Sequence, residues 1–248
     1  MPPTNTTGLL TPLVKLDGET DGASAALVVT DPEGYAVYEG PAAGDTIEIE
    51  GIQPWSHAAP VLYHAVLTLR DADGVLQEVV PYDIGFRRFE MINGVMCLNG
   101  ERVVFNGVNR HEWNADRGRA IGADDMHAAM AVFKKNNINA VRTCHYPDQS
   151  LWYDLCDRNG IYMIDETNLE SHGSWQKLGA VEPSWNVPGS LPEWKDCVVD
   201  RARSMFERDK NHAAVLIWSC GNESYAGEDI LAMSQFFHDH DPGRLVQL

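Results

Sequence analysis

One apolar stretch that turns abruptly polar constrains the fold of this chain more than any other feature. Residues 213–219 are apolar and include β-branched side chains, which predicts a strand buried on both faces. Asn222 and Glu223 follow directly, and a helical pattern comes next. In a parallel α/β protein, reactive side chains emerge at the carboxyl end of such a strand. The alternative is that Asn222 only caps the next helix and Glu223 is a first-turn acid.

The same order of strand and then helix recurs from residue 87 onward. We predict strands at residues 103–108, 138–142, 161–165 and 215–219, with a fifth beginning at 245–248. Four helical patterns lie between them. In the first, Met126, Met130 and Phe133 share one face, and Asp124 or Asp125 lies near the N-cap. The others are predicted at 151–159, which ends before Gly160, at 194–209 and at 230–238. This order predicts a parallel sheet with right-handed crossovers.

The number of strand–helix units bounds the architecture. A (β/α)₈ barrel takes about 250 residues, whereas residues 87–248 hold about four β/α units and the start of a fifth strand. Either the sheet is open or the chain is a fragment of a longer protein, and we favour the fragment. We therefore expect 87–248 to be the N-terminal half of a (β/α)₈ catalytic barrel, truncated.

The preceding segment has a different periodicity. Alternating patterns at 26–29, 35–38, 46–49, 62–69 and 76–80, separated by Gly-containing turns, predict short antiparallel strands. Their regular spacing predicts an immunoglobulin-like β-sandwich over residues 1–86. A further hairpin is expected between 89–95 and 96–104, with Asn99-Gly100 as its turn. The fold class is thus multi-domain β and α/β.

Charge and cysteine content exclude several classes of partner. The formal net charge of −17 disfavours nucleic acids and anionic membranes, because both would repel the chain. The five cysteines form no Cys-x-x-Cys pair, which predicts reduced and mostly buried thiols.

The N-terminus lacks the basic and apolar regions of a signal peptide, and no apolar run is long enough to span a bilayer. We expect a cytoplasmic protein.

Polar residues with catalytic potential follow each of the four complete strands. These are Asn109-Arg110-His111-Glu112, Arg142 with His145, Asp165-Glu166 continuing to Glu170 and His172, and Asn222-Glu223. The amino ends of the same strands are plain turns. This asymmetry predicts an active site on one rim of the sheet.

Several of these residues have alternative explanations. Glu170 and His172 are two apart, so in an extended segment both point the same way and form part of a cation site for Mg²⁺ or Mn²⁺. A salt-bridged pair is the alternative. His111 and His145 would otherwise be hydrogen-bonded core histidines. Arg142, at the end of a buried strand, needs an acid or a ligand oxygen as its partner.

Glu223 is the strongest candidate for chemistry. A glutamate at a barrel rim, near other carboxylates and a cation, can have its pKa tuned for general acid/base catalysis. Glycoside hydrolysis needs such an acid on the leaving oxygen and a second carboxylate opposite it.

Together these motifs resemble glycoside hydrolase family 2, and within it the members that act on β-galactosides. The resemblance runs in order over residues 85–248 and rests on Asn109-Arg110-His111-Glu112, Arg142-x-x-His145-Tyr146-Pro147, residues 153–162, Asp165-Glu166-Thr167-Asn168-Leu169-Glu170-Ser171-His172-Gly173, Arg208-Asp209-Lys210-Asn211-His212 and residues 218–224. It implies hydrolysis of terminal β-D-galactosyl residues from lactose-like substrates, with retention of configuration.

The resemblance also implies residue roles. Glu223 would be the general acid/base, and Asn222 would bind the 2-hydroxyl of the sugar. Mg²⁺, with Mn²⁺ or Na⁺ as alternatives, would be held by Glu170, His172 and Glu223. The galactosyl group would be contacted by His111 and His145, with Arg142 supporting the carboxylates.

Two departures from the family qualify this expectation. The family's nucleophile is a glutamate on a later strand, beyond Leu248, and the jelly-roll domain that precedes the sandwich is missing. We therefore expect a chain that is nearly inactive alone, that needs the remainder of the same polypeptide, and that is homo-oligomeric in its full-length form. The alternatives are a non-catalytic sugar-binding or complementing subunit, and a different metal-dependent hydrolase that uses Glu170, His172 and Glu223.

Overall fold

The computed structural model describes residues 6–18, 20–172 and 187–248. The chain divides into two compact units, Met1–Arg87 and Arg88–Leu248. The first unit is built from β-strands, and the second alternates strands with helices after three short strands. Within the described residues, no helix is both long and apolar enough to cross a bilayer.

The first unit is an antiparallel β structure. A four-stranded sheet has the order β3-β2-β5-β6, and β1 pairs separately with β4. The bounds are β1 Gly8–Leu10, β2 Ser24–Thr30, β3 Ala36–Pro41, β4 Ile47–Ile49, β5 Tyr63–Arg70 and β6 Leu76–Ile84. Leu27 and Val29 alternate into a core with Tyr63, Ala65 and Ile49. The expected immunoglobulin-like sandwich is confirmed, although β1 was not predicted.

The second unit opens with a meander of three strands rather than the single hairpin expected at 89–104. β7 is Phe89–Ile92, β8 is Val95–Leu98 and β9 is Glu101–Arg102. The prediction placed a turn only at Asn99-Gly100 and was wrong in leaving out the turn at Asn93-Gly94. Both Asn93 and Gly94 have positive φ, 50° and 77°. Asn-Gly pairs tolerate this conformation, which matches the twist of a tight hairpin.

Five parallel strands then form one sheet in sequential order. They are β10 Gly107–Arg110, β11 Ala140–Thr143, β12 Tyr162–Glu166, β13 Val215–Ser219 and β14 Leu245–Gln247. The described helices between them are α1 Ala123–Lys135, α2 Ser150–Asn159, α3 Pro192–Asp209 and α4 Glu228–His240. Strands added one by one, each beside its predecessor, are the arrangement of a (β/α)₈ barrel. The expected partial barrel of four units and the start of a fifth strand is confirmed.

The first parallel strand begins later than predicted. The N–H of Val103 donates to the carbonyl of Met96 at 2.9 Å, so this part of the chain continues the meander. Pairing with β11 starts only where Gly107 lies opposite Ala140. An apolar run alone does not show which of two sheets it joins, because both bury it.

The helices present the faces that their spacing predicts. Met126, Met130 and Phe133 are the buried residues of α1, and Asp124 and Asp125 lie near its N-cap as predicted, although neither is the N-cap residue, which is Gly122. The carboxylate of Asp125 instead accepts the N–H of Gly122 at 2.8 Å. α2 ends at Gly160, whose φ of 65° is the left-handed conformation that a helix end favours for glycine.

The cysteines agree with the expected reduced thiols. All five are free; Cys97, Cys144, Cys156 and Cys220 are buried, and Cys197 is exposed. Burial raises the pKa of Cys220 to about 12. The buried thiols therefore act as small apolar side chains.

A buried ion pair ties β10 to the start of α2. Arg110 donates from Nη1 to Oδ2 of Asp148, whose exposed fraction is only 1%. The guanidinium also lies over the ring of Trp152, 3.9 Å from its centroid. Burial raises the pKa of Asp148 to about 7, although the nearby charge of Arg110 opposes the shift.

This pKa predicts a pH dependence of stability. An unfolded aspartate ionises near pH 3.9, so between about pH 4 and 7 the folded chain binds a proton that the unfolded chain has lost. The free energy of unfolding contributed by Asp148 therefore falls as pH rises through that window, by on the order of 2–4 kcal/mol. Asp148→Asn removes the titration, and urea unfolding at several pH values should show wild type losing stability relative to it. Parallel pH curves for the two proteins would contradict the assignment.

Candidate active site

Polar side chains from three neighbouring strands meet at the carboxyl edge of the parallel sheet. Arg142 lies in β11 beside Ile164 of β12, and Glu166 ends β12 beside Ser219 of β13. Arg142 Nε donates to Glu166 Oε2 at 2.7 Å, and Arg142 Nη2 donates to Asn222 Oδ1 at 3.0 Å. The parallel register thus brings residues far apart in the chain to one rim.

Glu166 is the centre of this rim. Its side chain is fully buried, yet Arg142, the hydroxyl of Ser219 at 2.7 Å and Nδ1 of His145 at 2.6 Å all contact its carboxylate. Its own N–H donates to Thr143 Oγ1 at 2.8 Å. These partners compensate the cost of burying a charge. The sequence placed Glu166 among the strand-end acids without a role; the signal for it was the need of Arg142 for a buried acid.

Asn222 is held in a single orientation. Its Oδ1 accepts from Arg142, its Nδ2 donates to Glu170 Oε1 at 3.1 Å, and its backbone N–H donates to the carbonyl of Leu169 at 2.9 Å. The preceding Gly221 has φ +146°, and a Cβ there would lie 2.6 Å from the oxygen of Leu169. Glycine is therefore required for β13 to approach the segment that follows β12.

Glu223 is the exposed acid of the rim. Its side chain is 56% exposed, its φ is +36°, and its Oε2 contacts Nδ1 of His172. The alternative that Asn222 caps the next helix is wrong, because α4 begins at Glu228 and its N-cap residue is Gly227. Asn222 and Glu223 instead follow the end of β13, where the side chain of Glu223 is exposed.

The two predicted sugar-contacting histidines are neighbours. The rings of His111 and His145 have centroids 5.4 Å apart and are nearly perpendicular. Nδ1 of His111 lies 3.4 Å from the hydroxyl of Tyr146, which accepts the N–H of Glu112 at 3.1 Å. The core alternative is wrong for His111, which is exposed, while His145 is partly buried and hydrogen-bonded to Glu166.

The donor set predicted for a divalent cation fits a hard metal ion. His172 and Glu223 are in contact, and Glu170 is joined through Asn222 to the same strand end. Two carboxylates and one imidazole suit Mg²⁺ or Mn²⁺.

Among the described residues, the group of three whose metal-ligating atoms all lie within 4.8 Å of one another is His111, Cys144 and His145, and the predicted set of Glu170, His172 and Glu223 is not gathered that closely. Burial raises the pKa of the Cys144 thiol. Since the thiolate is the ligand form, this group is poorly prepared for a metal ion.

The seven residues to which the family resemblance gives roles lie along this one edge. Contacts lead from His111 to His145, and through Glu166 to Arg142, Asn222 and Glu170, with Glu223 and His172 beside them. The geometry unites the residues, while their individual catalytic and binding roles stay predictions.

Two family models match the chain. The model described as "Glycosyl hydrolases family 2, TIM barrel domain" matches residues 89–248, and the model described as "Glycosyl hydrolases family 2" matches residues 4–87.

Curated relatives share high identity with the chain. A beta-galactosidase of Clostridium acetobutylicum is 61% identical over 200 residues, which are 81% of this chain and 22% of that protein. A beta-galactosidase large subunit of Lactobacillus acidophilus is 50% identical over 246 residues, which are 96% of this chain and 39% of that subunit. The chain thus spans well under half the length of either relative.

Solved structures share the fold at low identity. A beta-glucuronidase from Ruminococcus gnavus superposes with a TM-score of 0.83 at 24% identity, covering 97% of this chain and 41% of that chain. A beta-D-glucuronidase from Dictyoglomus thermophilum gives a TM-score of 0.78 at 22% identity, covering 97% of this chain and 43% of that chain. By the two family models, which together match residues 4–87 and 89–248, the chain belongs to glycoside hydrolase family 2.

Proposed function

We propose that this chain carries the acid/base half of the active site of a retaining β-galactosidase, which hydrolyses terminal β-D-galactosyl residues. The observation that carries the proposal is the convergence of Glu223 and Asn222 with the Arg142–Glu166–His145 cluster at one edge of the sheet. Relatives named beta-galactosidase at 50% and 61% identity support the choice of sugar.

Glu223 supplies the proton in this proposal. Its exposed carboxyl group protonates the glycosidic oxygen as the leaving group departs, and then, as a carboxylate, takes a proton from the attacking water. A retaining enzyme needs a second carboxylate about 5–5.5 Å away as nucleophile. Glu166 does not fit that role, because it is fully buried and accepts several hydrogen bonds. We assign the nucleophile to a part of the enzyme outside these 248 residues.

The remaining rim residues orient the sugar. Asn222 uses one Nδ2 hydrogen on Glu170, so its second one is directed by the fixed amide and donates to the 2-hydroxyl. His111 and His145 contact the galactosyl ring from the neighbouring strand end. Arg142, held by Glu166 and Asn222, adds positive charge close to the catalytic carboxylates.

Glu170, His172 and Glu223 would hold a divalent cation, with Mg²⁺ favoured over Mn²⁺ and Na⁺ as a further alternative. When bound, it would supply positive charge beside the acid/base and the sugar hydroxyls. The role of this chain is to hold the ligand groups in place. Asn222 donates a hydrogen bond to Glu170, and the left-handed backbone at Glu223 directs its carboxyl group toward His172.

The lengths of the relatives support an enzyme that includes more polypeptide than these 248 residues. Large subunits from Lactobacillus acidophilus and Leuconostoc lactis each match over 96% of this chain, which spans 39% of either. We propose a homo-oligomeric enzyme that uses the remainder of the polypeptide. The same observation favours the second candidate, a complementing subunit that gains activity only on assembly. We propose a cytoplasmic location, which the five free cysteines support.

Glu223→Gln should lower kcat/KM of the complete enzyme by about 10²–10⁴-fold on lactose, because the leaving glucose needs a proton. For an aryl galactoside with an acidic phenol, kcat/KM should fall far less, since this constant reports only the step in which the leaving group departs, and a phenolate departs unprotonated. Steady-state kinetics on both substrates measure the difference. Glu228→Gln, an exposed acid at the start of α4, is the matched control and should keep wild-type rates. Equal losses on the two substrates would remove Glu223 from the acid/base role.

The sugar preference separates this proposal from the activity named for the solved neighbours. The rim already holds the carboxylates of Glu166, Glu170 and Glu223, and its Arg142 is engaged by Glu166 and Asn222. A uronic acid would add another negative charge, and like charges at such distances cost several kcal/mol. We expect kcat/KM on an aryl β-glucuronide to be at least about 100-fold below that on the aryl β-galactoside. The reverse order would refute the assigned substrate.

The cation set can be tested without turnover. Glu170→Gln removes one anionic donor, so the affinity for Mg²⁺ or Mn²⁺ should fall by about 10–100-fold. Equilibrium dialysis with elemental analysis measures the bound ion, and Glu228→Gln again serves as the control. Unchanged binding in Glu170→Gln would show that the ion lies elsewhere.

A further inference from the structure

The two oxygens of the buried Glu166 carboxylate have different partners. Oε2 accepts from Arg142 Nε at 2.7 Å and from the hydroxyl of Ser219 at 2.7 Å, and Arg142 Nη2 is in ion-pair contact with it. Oε1 faces Nδ1 of His145 at 2.6 Å. Both hydrogen-bond partners of Oε2 are donors, and one of them belongs to a permanently charged guanidinium.

An ionised carboxylate only accepts hydrogen bonds, so the ring atom that contacts Oε1 must carry the proton. The alternative, a proton on Oε1 donated to the ring, would neutralise the acid that pairs with the partly buried guanidinium of Arg142. A guanidinium at that site needs an anionic partner, since an uncompensated buried charge costs several kcal/mol. The ring nitrogen at 2.6 Å is therefore an N–H donor.

We infer that Glu166 is a positioning residue that fixes the tautomer of His145, so that Nδ1 carries the proton and Nε2 presents a lone pair at the rim. The hydrogen bond made by one ring nitrogen decides the state of the other. Glu166 thereby sets not only where the imidazole lies but also which hydrogen-bonding character it offers.

The consequence for recognition rests on the function proposed above. If the sugar lies against His145, Nε2 accepts a hydrogen bond, so the matching substrate group must be a donor such as a hydroxyl. The perpendicular ring of His111, 5.4 Å away, restricts the approach to that side. A substrate that presents only an acceptor there would leave two lone pairs facing each other.

Glu166→Gln should invert the tautomer. The carboxamide has one accepting oxygen and one donating NH₂ group, and two donors, Arg142 Nε and the hydroxyl of Ser219, converge on the Oε2 position. The amide oxygen must take that side, which leaves the NH₂ group facing Nδ1 of His145. Nδ1 then has to accept, and the proton moves to Nε2. The substitution keeps the shape of the side chain and reverses one hydrogen bond.

Nitrogen-15 NMR of the intact protein labelled at histidine distinguishes the two neutral tautomers by their ring shifts. Of the nine histidines, the signal of His145 is assigned by its loss in His145→Gln. At a pH where the ring is neutral, wild type should favour the Nδ1–H form by at least about tenfold, and Glu166→Gln should favour the Nε2–H form by a similar factor. Ser219→Ala is the control: it removes one donor from Oε2 but leaves the hydrogen bond and the charge of Arg142, so it should retain the wild-type tautomer.

Each outcome decides the inference. An Nε2–H tautomer in wild type overturns it, and so does the same tautomer in wild type and Glu166→Gln. If Glu166→Gln does not fold, the wild-type spectrum alone decides. Adding galactose to the complete enzyme should shift the Nε2 resonance of His145. An unchanged Nε2 signal with the Nδ1–H tautomer intact would contradict the proposed function and leave this inference standing.

Discussion

The rim depends on one electrostatic requirement: the carboxylate of Glu166 is fully buried, and the partly buried guanidinium of Arg142 supplies the opposite charge that it needs. A buried charge is costly alone, so the carboxylate must be compensated by this partner and by neutral hydrogen-bonding groups. Ser219 and His145 supply the remaining contacts of the carboxylate. The ends of β11, β12 and β13 are therefore joined at the carboxyl edge of the sheet by side chains as well as by the backbone ladder.

The sequence predicted that edge because parallel strands bring their carboxyl ends together whatever the exact register. It did not identify Glu166 as the hub. Asp165 and Glu166 are adjacent acids, and successive side chains of a strand point to opposite faces of the sheet. The strand pattern alone does not say which of the two acids points to which face. In the structure, Oδ1 of Asp165 accepts a hydrogen bond from the hydroxyl of Tyr153 in α2 at 2.7 Å, whereas Glu166 accepts one from Arg142. The sequence pattern likewise did not show that pairing of the strand predicted at 103–108 starts only at Gly107, or that Asn93-Gly94 forms a turn as Asn99-Gly100 does.

These neighbouring acids show how environment separates two identical functional groups. Asp165, between the sheet and α2, has its pKa raised well above the usual value, first by burial and then by the charge of Asp209. Glu166 lies against a fixed positive charge and makes charge-assisted hydrogen bonds instead. One acid consequently belongs to the packing between sheet and helices, and the other belongs to the rim.

The same logic separates Glu166 from Glu223. A carboxylate that is fully buried and bound by several donors holds its neighbours in place but has no lone pair to offer a substrate. Glu223 is 56% exposed and contacts His172 from a turn that Gly221 makes possible. Proton transfer to a leaving group requires access and a group whose charge can change at low cost. The buried glutamate is thus suited to holding the rim together and the exposed one to the reactive role proposed for it, and Asn222, bonded to Arg142 and preceding Glu223 in the chain, connects the two.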